Sequence, residues 1–88
     1  MQTQNLTNIL KEGERLYLEE FRTELERAHY GEYAVIDTDT RQYVADPNKL
    51  QAIDAAQREF GKKLFYIVRV GDLNQPTINH KMHVSWSF

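Results

Sequence analysis

The stretch Leu64-Phe65-Tyr66-Ile67-Val68-Arg69-Val70 decides how the rest of the chain is read. It is a nearly continuous apolar run, bounded by Lys62-Lys63 and by Gly71-Asp72. A strand with one wet face alternates apolar with polar residues, so an unbroken run reads as a strand buried on both faces. Such a strand belongs to a sheet interior.

Upstream, Leu50, Ile53, Ala56 and Phe60 recur at helical spacing, with Ala55 and Gln57 beside them, up to Gly61 as a terminator. Asp46-Pro47 marks the start, because the carboxylate can cap free amides and proline at the first helical position forfeits no hydrogen bond. The spacing predicts a helix over 47–60. Before it, Tyr33-Ala34-Val35-Ile36-Asp37 and Gln42-Tyr43-Val44-Ala45 flank the turn-forming Asp37-Thr38-Asp39-Thr40-Arg41, which predicts a β-hairpin. The first thirty residues predict one long amphipathic helix, ended by Tyr30-Gly31 and capped at its start by Asn5 or Thr7. Leu6, Ile9, Leu10, Gly13, Leu16, Tyr17, Phe21, Leu25 and Ala28 form its apolar stripe, and acidic and basic residues fill the other faces. Gly13 disfavours a helix interior, so it marks either close packing or a break.

Downstream, Gly71–Lys81 contains Pro76 and several amide side chains and reads as a loop. Met82, Val84, Trp86 and Phe88 then alternate with His83, Ser85 and Ser87, the pattern of a terminal strand. With 88 residues and no repeat or linker, the chain reads as a single α+β domain over 1–88. Its parts are a helix over 1–30, a ββαβ unit over 31–71, and a loop with a terminal strand over 72–88. The element order is therefore α-β-β-α-β with a C-terminal strand, in a small mixed or antiparallel sheet packed on helices.

A right-handed crossover through the second helix makes the second and third strands parallel and puts the first between them. Ala34 and Ile36, with Leu64, Tyr66, Val68 and Val70, are assigned to the helix-covered face. Tyr33, Val35, Phe65 and Ile67 are left on a face with no evident cover, unless each helix takes one face or the C-terminal segment folds back. An uncovered apolar face commonly marks an interaction surface. With the row Met82, Val84, Trp86 and Phe88, these residues form the expected interaction surface of a homodimer or of a complex with another small protein.

Composition excludes several function classes. The chain is 41% apolar and 27% charged, as in soluble globular domains. No stretch has the length of a membrane span, and Met1-Gln2-Thr3-Gln4-Asn5 lacks the features of a secretion signal, so a cytoplasmic protein without membrane contact is expected. The absence of cysteine removes disulfides, thiolate metal sites and cysteine nucleophiles. A net charge of −2 makes nucleic acid an unfavourable partner.

Of the three histidines, His80 and His83 are spaced for a helix face but fall on a strand pattern, and His29 suits the end of the first helix. Asp37, Asp39 and Asp46 could ligate a hard cation or serve acid–base work, yet turns and helix caps call for aspartate equally. Ser85 and Ser87 lie near His83 without a nucleophile elbow, and Gly71 lacks the neighbours of a phosphate loop. Lys62, Lys63 and Arg58, near Phe60 and Tyr66 taken as exposed, form the best basic patch, with Tyr33 and Phe65 as faint stacking candidates. No catalytic residue, metal ligand or cofactor is assigned. The alternatives kept open are a small metal-dependent or hydrolytic enzyme using the hairpin aspartates and C-terminal histidines, and a weak nucleic-acid binder.

Gly31-Glu32-Tyr33-Ala34-Val35-Ile36-Asp37, Tyr43-Val44-Ala45-Asp46, Ala52 with Ala56, and Phe65-Tyr66-Ile67-Val68-Arg69-Val70-Gly71 carry a resemblance. Over roughly residues 31–71 the chain resembles small single-domain bacterial and archaeal proteins of unknown function with a G-x-Y-V-A-I-D … F-Y-x-x-R-x-G pattern. The strand–helix–strand portion is more distantly similar to HicB-type antitoxins. The resemblance implies a binding role beside a second small protein, with no catalytic residues to carry over; residues 72–88 extend beyond it. The expected function is a protein-interaction module, antitoxin-like or regulatory.

Overall fold

The computed structural model describes residues 6–78. The N-terminal helix has an α-helical part α1 (Leu6–Leu16), a π-helical turn (Tyr17–Phe21) and a second α-helical part α2 (Arg22–Ala28). Strands β1 (Tyr33–Asp37) and β2 (Gln42–Asp46) form the hairpin, followed by α3 (Lys49–Phe60), β3 (Tyr66–Arg69) and β4 (Asp72–Ile78). The α+β class and the helix, hairpin, helix, strand order are as the sequence predicts.

The wide turn in the first helix has a visible cause. Ile9, Gly13, Tyr17, Phe21 and Leu25 lie on the side that meets the sheet and recur every fourth residue. Four residues of α-helix overshoot a full turn by about 40°. A stripe with that spacing would wind off the sheet, and the wider turn at Tyr17–Phe21 takes up the drift. Leu16 and Tyr17, adjacent in sequence, are both buried as a result. Gly13 is buried inside α1 rather than at a break, and Thr7 lies within the helix, not at its cap.

The four strands lie in the order β2-β1-β3-β4. β1 pairs antiparallel with both β2 and β3, which makes those two mutually parallel through the α3 crossover, with β1 between them. Ala34 opposes Val68, Val35 opposes Ile67 and Ile36 opposes Tyr66, so alternate residues enter opposite cores. Ala34, Ile36, Tyr66, Val68 and Val70 pack beneath the N-terminal helix with Leu16, Tyr17 and Leu25. Val35, Phe65 and Ile67 pack beneath α3 with Ala52, Ile53 and Ala56.

Two expectations are corrected here. Asp72–Ile78 is a strand, not a loop: Gly71, at φ +93°, turns the chain tightly so that it returns alongside β3. Pro76 is tolerated because β4 ends the sheet and its register shifts between Ile67 and Arg69. The helix predicted over 47–60 begins at Lys49, with Asn48 as the cap; the Asn48 side chain accepts from the Gln51 amide at 3.0 Å. The Asp46 carboxylate caps earlier, accepting from the Asn48 amide at 2.8 Å, so Pro47 lies in the connecting turn. The terminal strand expected over Met82–Phe88 lies outside the described residues.

Candidate functional site

The apolar face read as uncovered is covered. Val35 and Phe65 are fully buried and Ile67 nearly so, all beneath α3, and Tyr33 is half-buried against the same cluster. The reason is that α3, rather than the N-terminal helix, crosses this side between β2 and β3, giving each face of the sheet one helix. Tyr33, Val35, Phe65 and Ile67 therefore do not form an open interaction surface. Met82, Val84, Trp86 and Phe88, with His80, His83, Ser85 and Ser87, lie outside the described residues.

The basic patch dissolves in a similar way. Tyr66 is fully buried under the N-terminal helix, and Phe60 leans edge-on against Phe65 with ring centroids 6.2 Å apart. Arg58 pairs with Asp54 one helical turn away, and Lys63 turns to Asp37.

The hairpin aspartates are each engaged in the backbone they shape. Asp37, at the end of β1, is 1% exposed. Its carboxylate accepts from the Asp39 amide at 3.1 Å, the Thr40 hydroxyl at 2.9 Å and Lys63 Nζ at 3.1 Å. Arg41 completes the turn at φ +60°, its amide donating to the Asp37 carbonyl at 2.8 Å. Burial pulls the Lys63 pKa down, but Asp37, with Asp39 at 3.4 Å, outweighs it and holds the ammonium above its ordinary value. The cluster is an ion pair between a buried carboxylate and a partly exposed ammonium, and it locks the turn to the segment after α3. Among the described residues, no group of three histidine, aspartate or glutamate side chains is placed to hold a metal ion. His29 Nδ1 lies 2.9 Å from Glu32 Oε1, an ordinary helix-end pairing.

A second polar group is unusual. The Tyr66 hydroxyl is buried without a hydrogen-bond partner among the described residues, and burial, with Glu14 and Tyr17 nearby, pushes its pKa up to about 12. Tyr17 fares better: its hydroxyl accepts from the Gly71 amide at 3.1 Å and lies 3.5 Å from Glu26. Sequence reasoning missed both roles, since a tyrosine at a core spacing gives no sign of where its hydroxyl ends.

Among the described residues, the feature that remains is an edge. β2 ends the sheet, and among the described residues no strand lies beyond it. Its pairing with β1 is regular through all five residues, from Tyr33 opposite Asp46 to Asp37 opposite Gln42. Tyr43 and Ala45 lean toward the N-terminal helix, where Phe21 meets the Tyr43 ring edge-on at 4.9 Å; Val44 leans toward α3. Gln42 is exposed and the other four are half-buried. Burial, with Glu24 adding and Arg27 opposing, raises the Tyr43 pKa. Proline, lysine and bulges commonly blunt such edges, and Gln42–Asp46 has none of them. At the opposite side of the sheet, β4 carries Pro76 and the shifted register. The outer position of β2 agrees with the sequence reading, in which the first strand lies between the second and the third.

No helix among the described residues is long and apolar enough to cross a membrane. Comparison of the chain with protein-family models, curated proteins and solved structures finds no match.

Proposed function

We propose that this chain is a cytoplasmic protein-interaction module, antitoxin-like or regulatory, that engages its protein partner, a second copy or another small protein, through the edge of β2. The observation that carries this reading is that helices cover both faces of the sheet while, among the described residues, no strand lies beyond β2 and its pairing with β1 is regular. An open edge offers backbone donors and acceptors to a strand from another chain, and the side chains on either side of it set which strand fits. The groups that a hydrolytic or metal-dependent reading would use at the hairpin, Asp37 and Asp39, are held by Lys63 and by the turn itself.

Native mass spectrometry of the untagged full chain, purified from its source, tests the proposal. The expected result is a complex of fixed protein stoichiometry that dissociates in a Val44→Lys variant with an unchanged circular-dichroism spectrum. A bare monomer, or a chain carrying a stoichiometric metal ion or nucleic acid in place of a protein, would overturn it.

A further inference from the structure

Resting on that reading, we infer that the occupant of the β2 edge is β2 of a second copy, paired antiparallel about Val44. The sequence Gln42-Tyr43-Val44-Ala45-Asp46 is self-complementary in that register. Val44 would face its own counterpart, Tyr43 would face Ala45, and Gln42 would face Asp46. A bulky ring thus lies beside the smallest side chain of the strand, and a carboxylate beside an amide that can donate to it. The faces agree as well. Tyr43 and Ala45 belong to the N-terminal-helix side of the sheet and Val44 to the α3 side, and a two-fold axis normal to the sheet keeps each side continuous across the junction.

Asp46 ends the strand, so antiparallel pairing sets the acidic end of each copy beside Gln42 of the other, twice by symmetry, whereas a parallel in-register arrangement would set the two Asp46 carboxylates side by side. Arg41, just before the strand, is paired with Glu20 of its own chain at 2.6 Å. In the same molecule β4 is the poorer edge, since Pro76 cannot donate and its register with β3 shifts. Pairing through β2 extends the sheet without uncovering either core.

The strand has five residues, and a ladder of that length falls short of the about 800 Å² per partner typical of a stable complex. The dimer is accordingly a reversible one, formed and lost within an accessible concentration range. Exposed Leu50, in the first turn of α3 just after β2, adds apolar surface near the junction.

Sedimentation equilibrium of the full chain over a wide concentration range, beside Gln42→Lys and Gln42→Glu variants, is the test. Gln42 is exposed, so both variants keep the fold. Gln42→Lys, facing Asp46 of the other copy, should tighten self-association several-fold, and Gln42→Glu should weaken it by a similar factor. Equal association in all three proteins, or a dimer indifferent to Gln42 but lost in Trp86→Ser, would overturn the inference. A monomer at every concentration would overturn it too. If that monomer forms a complex with a different protein that Val44→Lys abolishes, the interaction module stands and only the identity of the occupant fails.

Discussion

Gly13 lies flat against the ring of Tyr66: a methyl group in place of its hydrogen would stand 2.2 Å from the ring's Cγ, well inside contact distance. Helix propensity alone favours alanine over glycine by about 1 kcal/mol. Here the overlap wins, because the ring is locked in the core and the obstructing atoms are at its root rather than at a flexible tip. Gly13→Ala is expected to lower stability by about 2 kcal/mol, within the range for overpacked cores. Urea unfolding of Gly13→Ala in the wild-type and Tyr66→Leu backgrounds checks the cause; the cost should shrink when the ring is gone.

The orphaned hydroxyl of Tyr66 predicts a response to alkali. Its pKa rises from 10.0 to about 12 in the folded chain, so stability is unaffected by its ionisation below pH 10 and falls as pH climbs from 10 through 12, where the unfolded chain ionises first. Lys63, also raised, loses its contribution in the same direction, above its ordinary value of 10.5. A rise as large as that of Tyr66, on a buried group, corresponds to about 3 kcal/mol. Tyr66→Phe should be neutral or stabilising at neutral pH, since it removes a buried hydroxyl with nothing to bond, and it should flatten the alkaline decline. Thermal melts from pH 8 to pH 12 on both proteins measure this, the slope being the observable.

Breaking the pair at the hairpin should be costly from either side. Asp37→Asn takes the buried carboxylate away from the Lys63 ammonium, and Lys63→Met leaves that carboxylate without its ammonium partner. Each is expected to cost about 3 kcal/mol, as for buried pairs missing one partner. The double variant should cost clearly less than the sum. A double-mutant cycle in urea gives the coupling, and strict additivity would show that the two groups act independently.

The wide turn at Tyr17–Phe21 predicts that a residue can be removed from a helix without scrambling it. Leu18 is exposed in that turn, and its deletion would return the turn to ordinary α-helical winding. The expected outcome is a folded protein of full helicity in which Leu25 keeps its side relative to Gly13, because the shortened interval winds through about three α-helical turns. A molten far-ultraviolet signature with no cooperative melt would contradict this.

Much of the architecture is legible in local residue types. The apolar run Leu64–Val70, the hairpin about Asp39 and the periodicity to Gly61 each show there, and they carry the strand order through the handedness of the crossover. What escapes the sequence depends on partners distant in the chain. Asp72–Ile78 is polar enough to pass for a loop, and only the hairpin made by Gly71 reveals it as a strand. Whether α3 or the N-terminal helix covers Val35, Phe65 and Ile67 follows from which side the crossover takes, a choice that alternating strands leave open.

The sheet also works as a partition. The clusters on its two sides share no buried side chain: Leu16, Tyr17, Leu25 and Tyr66 belong wholly to one, Ala52, Ile53, Phe65 and Ile67 to the other. Alterations more than about 7–10 Å apart without common neighbours tend to sum in free energy. One wall of the molecule can therefore be recarved, by evolution or by design, while the other keeps its own packing.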